Sequence, residues 1–149
     1  MPQPPMGNGI DDRGTPRALF DSLNLRWRFT LDGAASHANA LLSRYSTLDG
    51  TYESGCLIDP RDGLQFPWHG ERVYINPPYG RGLLAPFVKR AASGEADVVV
   101  ALLPVRTDQA WFHDHVVRAG GQIEWIRGRV KYDGLAVGAP FPSMIVTWA

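Results

Sequence analysis

One apolar run near the middle of the chain most strongly constrains the fold. Residues 96–103 read ADVVVALL, which is almost continuously apolar and rich in β-branched side chains. This composition is typical of a strand in a parallel sheet, where both faces of the strand are buried. The run therefore predicts a central buried strand with further layers packed on both sides of it.

Strand and helix patterns alternate along the rest of the chain. The expected strands lie at residues 29–32, 56–58, 73–75, 96–103, 122–127 and 143–148. The expected helices begin at Thr15-Pro16 and lie around residues 38–42, 83–92 and 108–118. Alternation of this kind predicts an α/β fold with a mostly parallel sheet and helices on both faces.

The N-terminal residues differ in composition from the remainder. The first ten residues are rich in proline and glycine, and we expect a flexible arm over residues 1–14. Residues 15–149 fit the size of a single domain and contain no internal repeat or linker. Residues 46–68 are rich in turn formers, and we expect a long surface segment with one short strand; such segments are often functional.

Charge and cysteine content narrow the function classes. Lys+Arg and Asp+Glu both number 15, so the formal net charge is zero, although a local basic patch can still hold a nucleic acid. The single cysteine, Cys56, excludes an internal disulfide and a cysteine-rich metal site. No apolar run approaches the roughly 20 residues of a membrane-spanning helix, and the first residues lack a signal-peptide pattern. We expect a cytoplasmic protein.

Polar or turn-forming residues follow three of the predicted strands. Asp32, Asn76 and Arg106 each lie at or just beyond a strand end. In open α/β sheets, ligands bind outside the carboxyl ends of the strands. The sequence therefore predicts a binding site at that edge.

The tetrapeptide Asn76-Pro77-Pro78-Tyr79 fits the chemistry of methylating an exocyclic amine. Such an amine is a weak nucleophile, because its lone pair is delocalised into the ring. The Asn76 side-chain oxygen and the Pro77 carbonyl oxygen can each accept a hydrogen bond from one N–H group of this amine, and the Tyr79 ring can stack on the base. Orientation and electrostatics then promote the reaction. The alternative is an ordinary strand terminator, since Asn and Pro are common turn formers.

The tetrapeptide matches the (Asp/Asn)-Pro-Pro-(Tyr/Phe) motif of S-adenosylmethionine-dependent amino-methyltransferases. Other blocks of the resemblance are Thr15-Pro16, Phe29-Thr30-Leu31-Asp32, Asp62-Gly63-Leu64, Trp68, Leu102-Leu103-Pro104-Val105-Arg106-Thr107-Asp108, Gly128-Arg129-Val130-Lys131-Tyr132 and Ala139-Pro140-Phe141-Pro142-Ser143. In this order the chain resembles the small phage-type DNA N6-adenine methyltransferases, often called the phage Dam family, from about Thr15 to Trp148. The resemblance implies a Rossmann-like fold and S-adenosylmethionine as cofactor.

The resemblance also implies cofactor-binding residues. Asp32 is expected near the α-ammonium of the methionine part, and Thr15 near its carboxylate. Asp62 resembles the acceptor for the adenine amino group, while Ala34 belongs to a small-residue turn that permits close backbone approach. Asn76 borders the same site. The alternatives are helix caps for Asp32 and Thr15, and a plain turn for Asp62.

The acid that holds the cofactor ribose is not obvious, and Asp49 and Glu53 are both candidates. No metal site is expected. His113 and His115 lie in a predicted helix at a spacing that does not place both on one face.

DNA is the expected partner. Arg106, Arg129 and Lys131 supply positive charge for phosphates, and Tyr79 and Tyr132 are candidates to stack on an extruded base. Singly, such cations are more often solvated surface charges, and buried aromatic residues more often belong to the core.

The sequence thus predicts a methyltransferase that acts on the N6 amine of adenine in DNA after base flipping. The same chemistry on cytosine N4, RNA adenine or protein glutamine is an alternative, as is a non-catalytic nucleic-acid-binding module. A nicotinamide-binding protein is disfavoured, since no G-x-G-x-x-G is present. A homodimer would add DNA-binding surface, and the setting is a bacterial host if the chain is phage-encoded.

Overall fold

The computed structural model describes residues 14–80, 82–132 and 138–149. Its helices are α1 (Arg17–Trp27) and α2 (Leu84–Ala91), with a 3₁₀ turn at Gly63–Gln65 and a π-helical segment at Phe112–Val117. Its strands are β1 (Leu31–Asp32), β2 (Arg44–Thr47), β3 (Gly50–Glu53), β4 (Cys56–Asp59), β5 (Arg72–Ile75), β6 (Val98–Pro104), β7 (Gln122–Trp125) and β8 (Ser143–Trp148). They form one sheet of eight strands in the order β4-β3-β2-β1-β5-β6-β8-β7.

The sheet is mixed, so the expectation of a mostly parallel sheet is wrong. The four central strands β2, β1, β5 and β6 are parallel, whereas β3 and β4 on one side and β8 and β7 on the other pair antiparallel. Short connections explain one flank. Only turns at Leu48-Asp49 and Ser54-Gly55 separate β2, β3 and β4, and so short a link can join only antiparallel neighbours. Ser54 and Gly55 both have positive φ, as a tight hairpin turn requires.

Strand β6 confirms the strongest prediction, since all seven of its residues are buried. Val99, Ala101 and Leu103 join a cluster that includes residues of α2 and the π-helical segment; we call it the α2-side cluster. The alternating residues, Val98, Val100 and Leu102, join a second cluster with Phe20 and Leu23 of α1, the α1-side cluster. Because both faces of β6 meet apolar layers, every position is apolar.

A helix was expected around residues 38–42, and the structure has turns there instead. The backbone N–H of Leu41 donates to Asp32 Oδ2 at 3.1 Å, and that of Ser36 donates to Asn39 Oδ1 at 2.8 Å. Side-chain acceptors of this kind compete with helical hydrogen bonds, and here they win.

Other boundaries also differ from the expectation. Residues 46–68 hold the second half of β2 and all of β3 and β4 rather than one strand, because four-residue strands give little periodic signal. The helix expected at 108–118 is a π-helical segment over 112–117, where the Arg118 N–H donates to the His113 carbonyl at 2.9 Å. The strand expected at 29–32 shortens to Leu31–Asp32. Helix α1, strands β5 and β8, and helix α2 confirm the prediction.

Residues 1–13, most of the expected arm, lie outside the described residues. Within the part of the chain that the structure does describe, no helix has the length and apolar character needed to cross a bilayer.

Gly33, directly after β1, provides a test of this packing. An added Cβ would lie 2.8 Å from Val73 Cγ1, 3.1 Å from Ile75 Cγ2 and 3.2 Å from Trp68 Cζ2. We expect Gly33→Ala to lower the free energy of unfolding by about 1–3 kcal/mol, because overpacking displaces buried side chains. Urea denaturation measures this loss. Gly121→Ala, where a Cβ would lie 2.9 Å from Val146 Cγ1, should lower the free energy of unfolding by a similar amount near the β7–β8 edge of the sheet. An unchanged midpoint for Gly33→Ala would contradict the tight packing.

Candidate functional site

A cavity of about 300 Å³ opens at the carboxyl ends of the parallel strands. Its wall comprises residues 34–37 and Asn39 after β1, residues 46–49 at the end of β2, Asn76 and Pro78 after β5, and Leu83 and Phe87 at α2. This is the edge at which the sequence predicted a site, and the volume is at the small end of the range for ligand pockets.

A second, much smaller cavity adjoins the first and has room for about one water-sized group, at about 10 Å³. Four predicted cofactor-binding residues, Thr15, Asp32, Ala34 and Asn76, lie around it. Ala34 and Asn76 border both cavities. The structure therefore brings these four residues together, although their roles stay predictions.

Asp32 is a buried carboxylate at the smaller cavity, with 2% of its surface exposed. Burial raises the pKa of Asp32 from 3.8 to about 6, and the backbone N–H groups of Leu41 and Ala34 oppose that rise. No ion pair involving Asp32 is found among residues 14–80, 82–132 and 138–149. No helix follows, so the helix-cap alternative for Asp32 is wrong. A buried acid with a raised pKa in a cleft is a candidate functional group.

Thr15 does not cap α1. The cap position is Pro16, with no side-chain cap bond, so the helix-cap alternative for Thr15 is also wrong. The Thr15 hydroxyl instead lies 2.6 Å from the hydroxyl of Tyr74, and both residues are buried. Burial raises the pKa of Tyr74 far above its ordinary value, which keeps that hydroxyl neutral. This pair fixes the start of α1 against β5.

The tetrapeptide turn is accessible at its first position. Asn76 is half-buried and borders both cavities, and Pro78 lines the larger one. Pro77 is buried beneath them. An amide at the junction of two cavities can present its oxygen to a ligand there.

Tyr79 packs inward, with 8% of its surface exposed. Its hydroxyl lies 3.1 Å from that of Tyr132, which in turn lies 3.1 Å from Ser143 Oγ. The Phe141 ring meets the Tyr79 ring edge-on at 5.5 Å. Tyr132 is 1% exposed, so in this conformation it offers no stacking surface to a base.

The predicted DNA-contacting cations differ in their surroundings. The Arg106 guanidinium lies over the Tyr79 ring, 5.7 Å from its centroid, in a cation–π contact. Arg129 and Lys131 are exposed. Their role in DNA binding stays a prediction.

The acidic residues predicted to contact the cofactor differ in their positions relative to the two cavities. Asp62 Oδ1 accepts the Leu64 N–H at 2.9 Å and caps the 3₁₀ turn, and Asp62 is not among the residues that line either cavity. Asp49 lines the larger cavity. Glu53 pairs with Arg44 at 3.1 Å. The geometry thus favours Asp49 over Glu53 as an acid that faces a ligand.

Sequence reasoning missed His37, which lines the larger cavity. Its Nδ1 lies 2.7 Å from the Tyr45 hydroxyl, and its ring centroid lies 4.7 Å from that of Tyr52. Pairing of β2 with β3 places Tyr45 opposite Tyr52 and assembles the three rings. No local pattern signals such a contact. Among the described residues, no three or more His, Cys, Asp or Glu side chains cluster as metal ligands do.

Burial of Asp32 makes stability depend on pH. A folded-state pKa near 6, against 3.8 unfolded, means that the folded protein loses stability as pH rises from about 4 to about 6. We expect Asp32→Asn to remove this loss and to gain up to about 3 kcal/mol over the wild type above pH 6, relative to their difference at pH 4. Denaturation at pH 4, 5, 6 and 7 measures the gain.

Asp59→Asn is the matched control. Hydrogen bonding to Arg61 lowers the pKa of Asp59 to about 2, so its titration lies below the window. A pH-independent difference between Asp32→Asn and the wild type would show that the Asp32 carboxyl does not titrate there.

A family model described as DNA N-6-adenine-methyltransferase (Dam) matches residues 8–142. A comparison with curated proteins gave no match. The match covers most of the chain, including every residue that borders the two cavities. The chain belongs to the Dam family of DNA N-6-adenine methyltransferases.

Proposed function

We propose that this protein transfers a methyl group from S-adenosylmethionine to the N6 amine of adenine in DNA. One observation carries the proposal: Asn76, first residue of the tetrapeptide turn, lies where a cavity of ligand size meets a buried carboxylate. Membership of the Dam family supports the reaction and the substrate. The proposed frame is Rossmann-like, with the four parallel central strands ending at the site, and the proposed setting is the cytoplasm.

The residues of the smaller cavity fit the amino-acid end of the cofactor. The carboxylate of Asp32 lacks an ion-pair partner among the described residues, and an α-ammonium would give it a charge-assisted hydrogen bond. The Thr15 hydroxyl is engaged with Tyr74. We therefore assign the cofactor carboxylate to the N–H groups at the start of α1, beside Thr15.

The larger cavity is proposed to hold the adenosine end. Asp49 faces it and can accept hydrogen bonds from ribose hydroxyls. The small side chains of Ala34 and Ala35 let the backbone approach the ligand. Asp62 lines neither cavity and its Oδ1 caps the 3₁₀ turn, so its proposed contact with the adenine amino group requires the bound cofactor to extend beyond the larger cavity toward that turn.

Bound S-adenosylmethionine supplies an electrophilic methyl group on its sulfonium. Asn76 Oδ1 and the Pro77 carbonyl oxygen would each accept a hydrogen bond from one N–H group of the adenine amine. These two hydrogen bonds would draw electron density onto the nitrogen and orient its lone pair. Formation of the nitrogen–methyl bond would break the methyl–sulfur bond and leave the cofactor as a neutral thioether, and the positively charged methylated amine would then release one proton to water. An adenine inside a duplex cannot reach this turn, so the nucleotide must be extruded at a cost of a few kcal/mol.

Base stacking on Tyr79 requires a local change. The Arg106 guanidinium covers the ring in this conformation. When a base takes that place, Arg106 becomes available to a backbone phosphate, beside the exposed Arg129 and Lys131. We assign Tyr132 a supporting role, since its hydroxyl bridges Tyr79 and Ser143.

Replacement of Asn76 tests the reaction. We expect Asn76→Ala to abolish methyl transfer, at least a 10²-fold loss, because one of the two acceptors of the amine is removed. Cofactor affinity should change little. Asn76→Asp, which matches the other residue of the family motif, should retain part of the activity. The assay follows labelled methyl groups from S-adenosylmethionine into DNA, with nucleoside analysis for N6-methyladenine.

Parallel reactions with cytosine-only DNA, RNA and a glutamine peptide separate the alternative acceptors. Full turnover by Asn76→Ala would remove this residue from the mechanism.

Cofactor affinity should depend on pH through Asp32. A cation binds the ionised carboxylate, and with a pKa of about 6 only about one molecule in ten carries that form at pH 5. We expect S-adenosylmethionine to bind about tenfold more weakly at pH 5 than at pH 7, as measured by calorimetry.

Asp32→Asn should lose both the affinity and this pH dependence. His37 also faces the cavity, so His37→Asn is the control and should keep the pH dependence. A wild-type affinity that is constant across this range would argue against an Asp32–ammonium contact.

A further inference from the structure

Helix α2 presents one arginine on the face that also forms a wall of the larger cavity. Leu83, just before the helix, and Phe87 line the cavity. Arg90 follows Phe87 by three residues and Leu83 by seven, a spacing that places all three on one helical face. Only 14% of the Arg90 side chain is exposed. An arginine buried to this degree requires several partners.

The backbone carbonyl partners of Arg90 belong to a single loop, residues 63–66, which we call the wall loop. One terminal nitrogen, Nη1, donates to the carbonyl oxygens of Gly63, at 3.2 Å, and of Leu64. The other, Nη2, donates to the carbonyl of Phe66. Three backbone carbonyls of one short loop thus accept hydrogen bonds from one guanidinium.

Two further groups hold the guanidinium itself in place. Glu95 accepts from Arg90 Nε at 3.1 Å and from Nη2 at 3.2 Å. The Trp68 ring lies beneath the guanidinium, with its centroid 4.2 Å away. Glu95 Oε2 also accepts a hydrogen bond from the backbone N–H of Trp68 at 2.7 Å, which connects the network to the chain that follows the wall loop. The result is a rigid clamp rather than a mobile surface pair.

The wall loop packs against the end of β2, which forms another wall of the larger cavity. Gly63 is buried, and a Cβ there would lie 2.7 Å from Ser46 Cβ and 2.7 Å from the Thr47 carbonyl oxygen. Ser46 and Thr47 both line the larger cavity. A shift of the wall loop must therefore move the β2 side of the cavity, because closely packed atoms transmit displacement.

We propose that Arg90 is a positioning residue that sets the separation between the α2 wall and the β2 wall of the larger cavity, and thereby the affinity for the adenosine part of S-adenosylmethionine. The proposal rests on the proposed function and assigns a new residue to that same site. Arg90 does not line the cavity, so it acts through the wall loop and through Phe87 on its own helix.

The geometry requires arginine rather than a positive charge alone. A planar guanidinium can donate in several directions in one plane while it stacks on an indole ring. A lysine ammonium keeps the charge and can pair with Glu95, but one nitrogen cannot reach three loop carbonyls and Glu95 together. Arg90→Lys is therefore the informative substitution, because it preserves net charge and most of the side-chain volume.

The experiment measures S-adenosylmethionine binding by calorimetry and methyl transfer by steady-state kinetics on the full chain. We expect Arg90→Lys to weaken cofactor binding at least tenfold and to raise the cofactor KM in proportion. We expect kcat at saturating cofactor to stay within about twofold of the wild type, since Asn76 and Pro77 are not displaced. Hydrogen exchange at the amides of residues 62–68 should accelerate in the variant without ligand.

Ile145→Val is the matched control for general destabilisation. Ile145 is 3% exposed, lies on β8 and belongs to the α1-side cluster, away from the wall loop. The variant should lower the denaturation midpoint while leaving cofactor affinity and exchange at residues 62–68 unchanged.

The outcomes separate the two proposals. A wild type that binds no S-adenosylmethionine overturns the proposed function, and with it the assignment of Arg90 to cofactor affinity. A wild type that binds, with folded Arg90→Lys binding equally well, overturns the Arg90 inference alone, as does a loss in kcat with unchanged affinity. Should Arg90→Lys fail to fold, Glu95→Gln replaces it; that variant loosens the clamp from the other side, and an unchanged affinity there overturns the inference.

Discussion

The parallel pairing of β1 with β5 is the constraint on which the site depends. Strand β1 has only two residues, and its register places Leu31 opposite Val73 and Asp32 opposite Tyr74. Asn76 follows Tyr74 by two residues, so this register determines that the carboxylate and the amide border the same small cavity. Parallel strands end at one edge of a sheet, and for that reason residues 44 positions apart in the sequence meet.

The burial of Asp32 lowers stability when its carboxyl group is ionised. Its burial raises the pKa of the carboxyl group, because the ionised form is disfavoured in the folded chain. A residue that stabilised the protein alone would be neutral at this position. Under the proposed function, the α-ammonium of the cofactor would give this acid an ionic partner, and stability–activity trade-offs of this kind are common at binding sites.

Charge is unevenly distributed, although the net charge is zero. The β2–β4 hairpins and their turns carry three acids, Asp49, Glu53 and Asp59, and one base, Arg44, while Arg61 beyond β4 is bonded to Asp59. Residues 126–132, in contrast, contain three basic residues and no acid. A net charge of zero is therefore compatible with a local basic segment.

Some features could be predicted from local patterns. The apolar run at β6 is visible because burial on both faces removes every polar position, and β5 and β8 share part of that signal. The start of α1 is marked by Pro16 and by the Phe20 and Leu23 stripe. The tetrapeptide was identifiable because its residue types carry their own chemistry wherever they lie.

Other features depend on contacts between distant residues. The stretch at 38–42 has helix-forming residues, yet Asp32 and Ser36 draw its backbone into turns. Thr15 has the form of a helix cap, yet its hydroxyl pairs with Tyr74, which lies 59 residues away. The Arg90 clamp and the placement of His37 beside Tyr45 and Tyr52 likewise have no local signal.

The sequence by itself determined the buried central strand, the main helix starts and the residue types of the tetrapeptide turn, because each depends on neighbours within a few positions. Only the tertiary structure decided the mixed order of the sheet, the inward packing of Tyr79 and the identity of the cavity walls. The physical reason is that strand pairing and side-chain burial join residues whose separation in the chain carries no information about their distance in space.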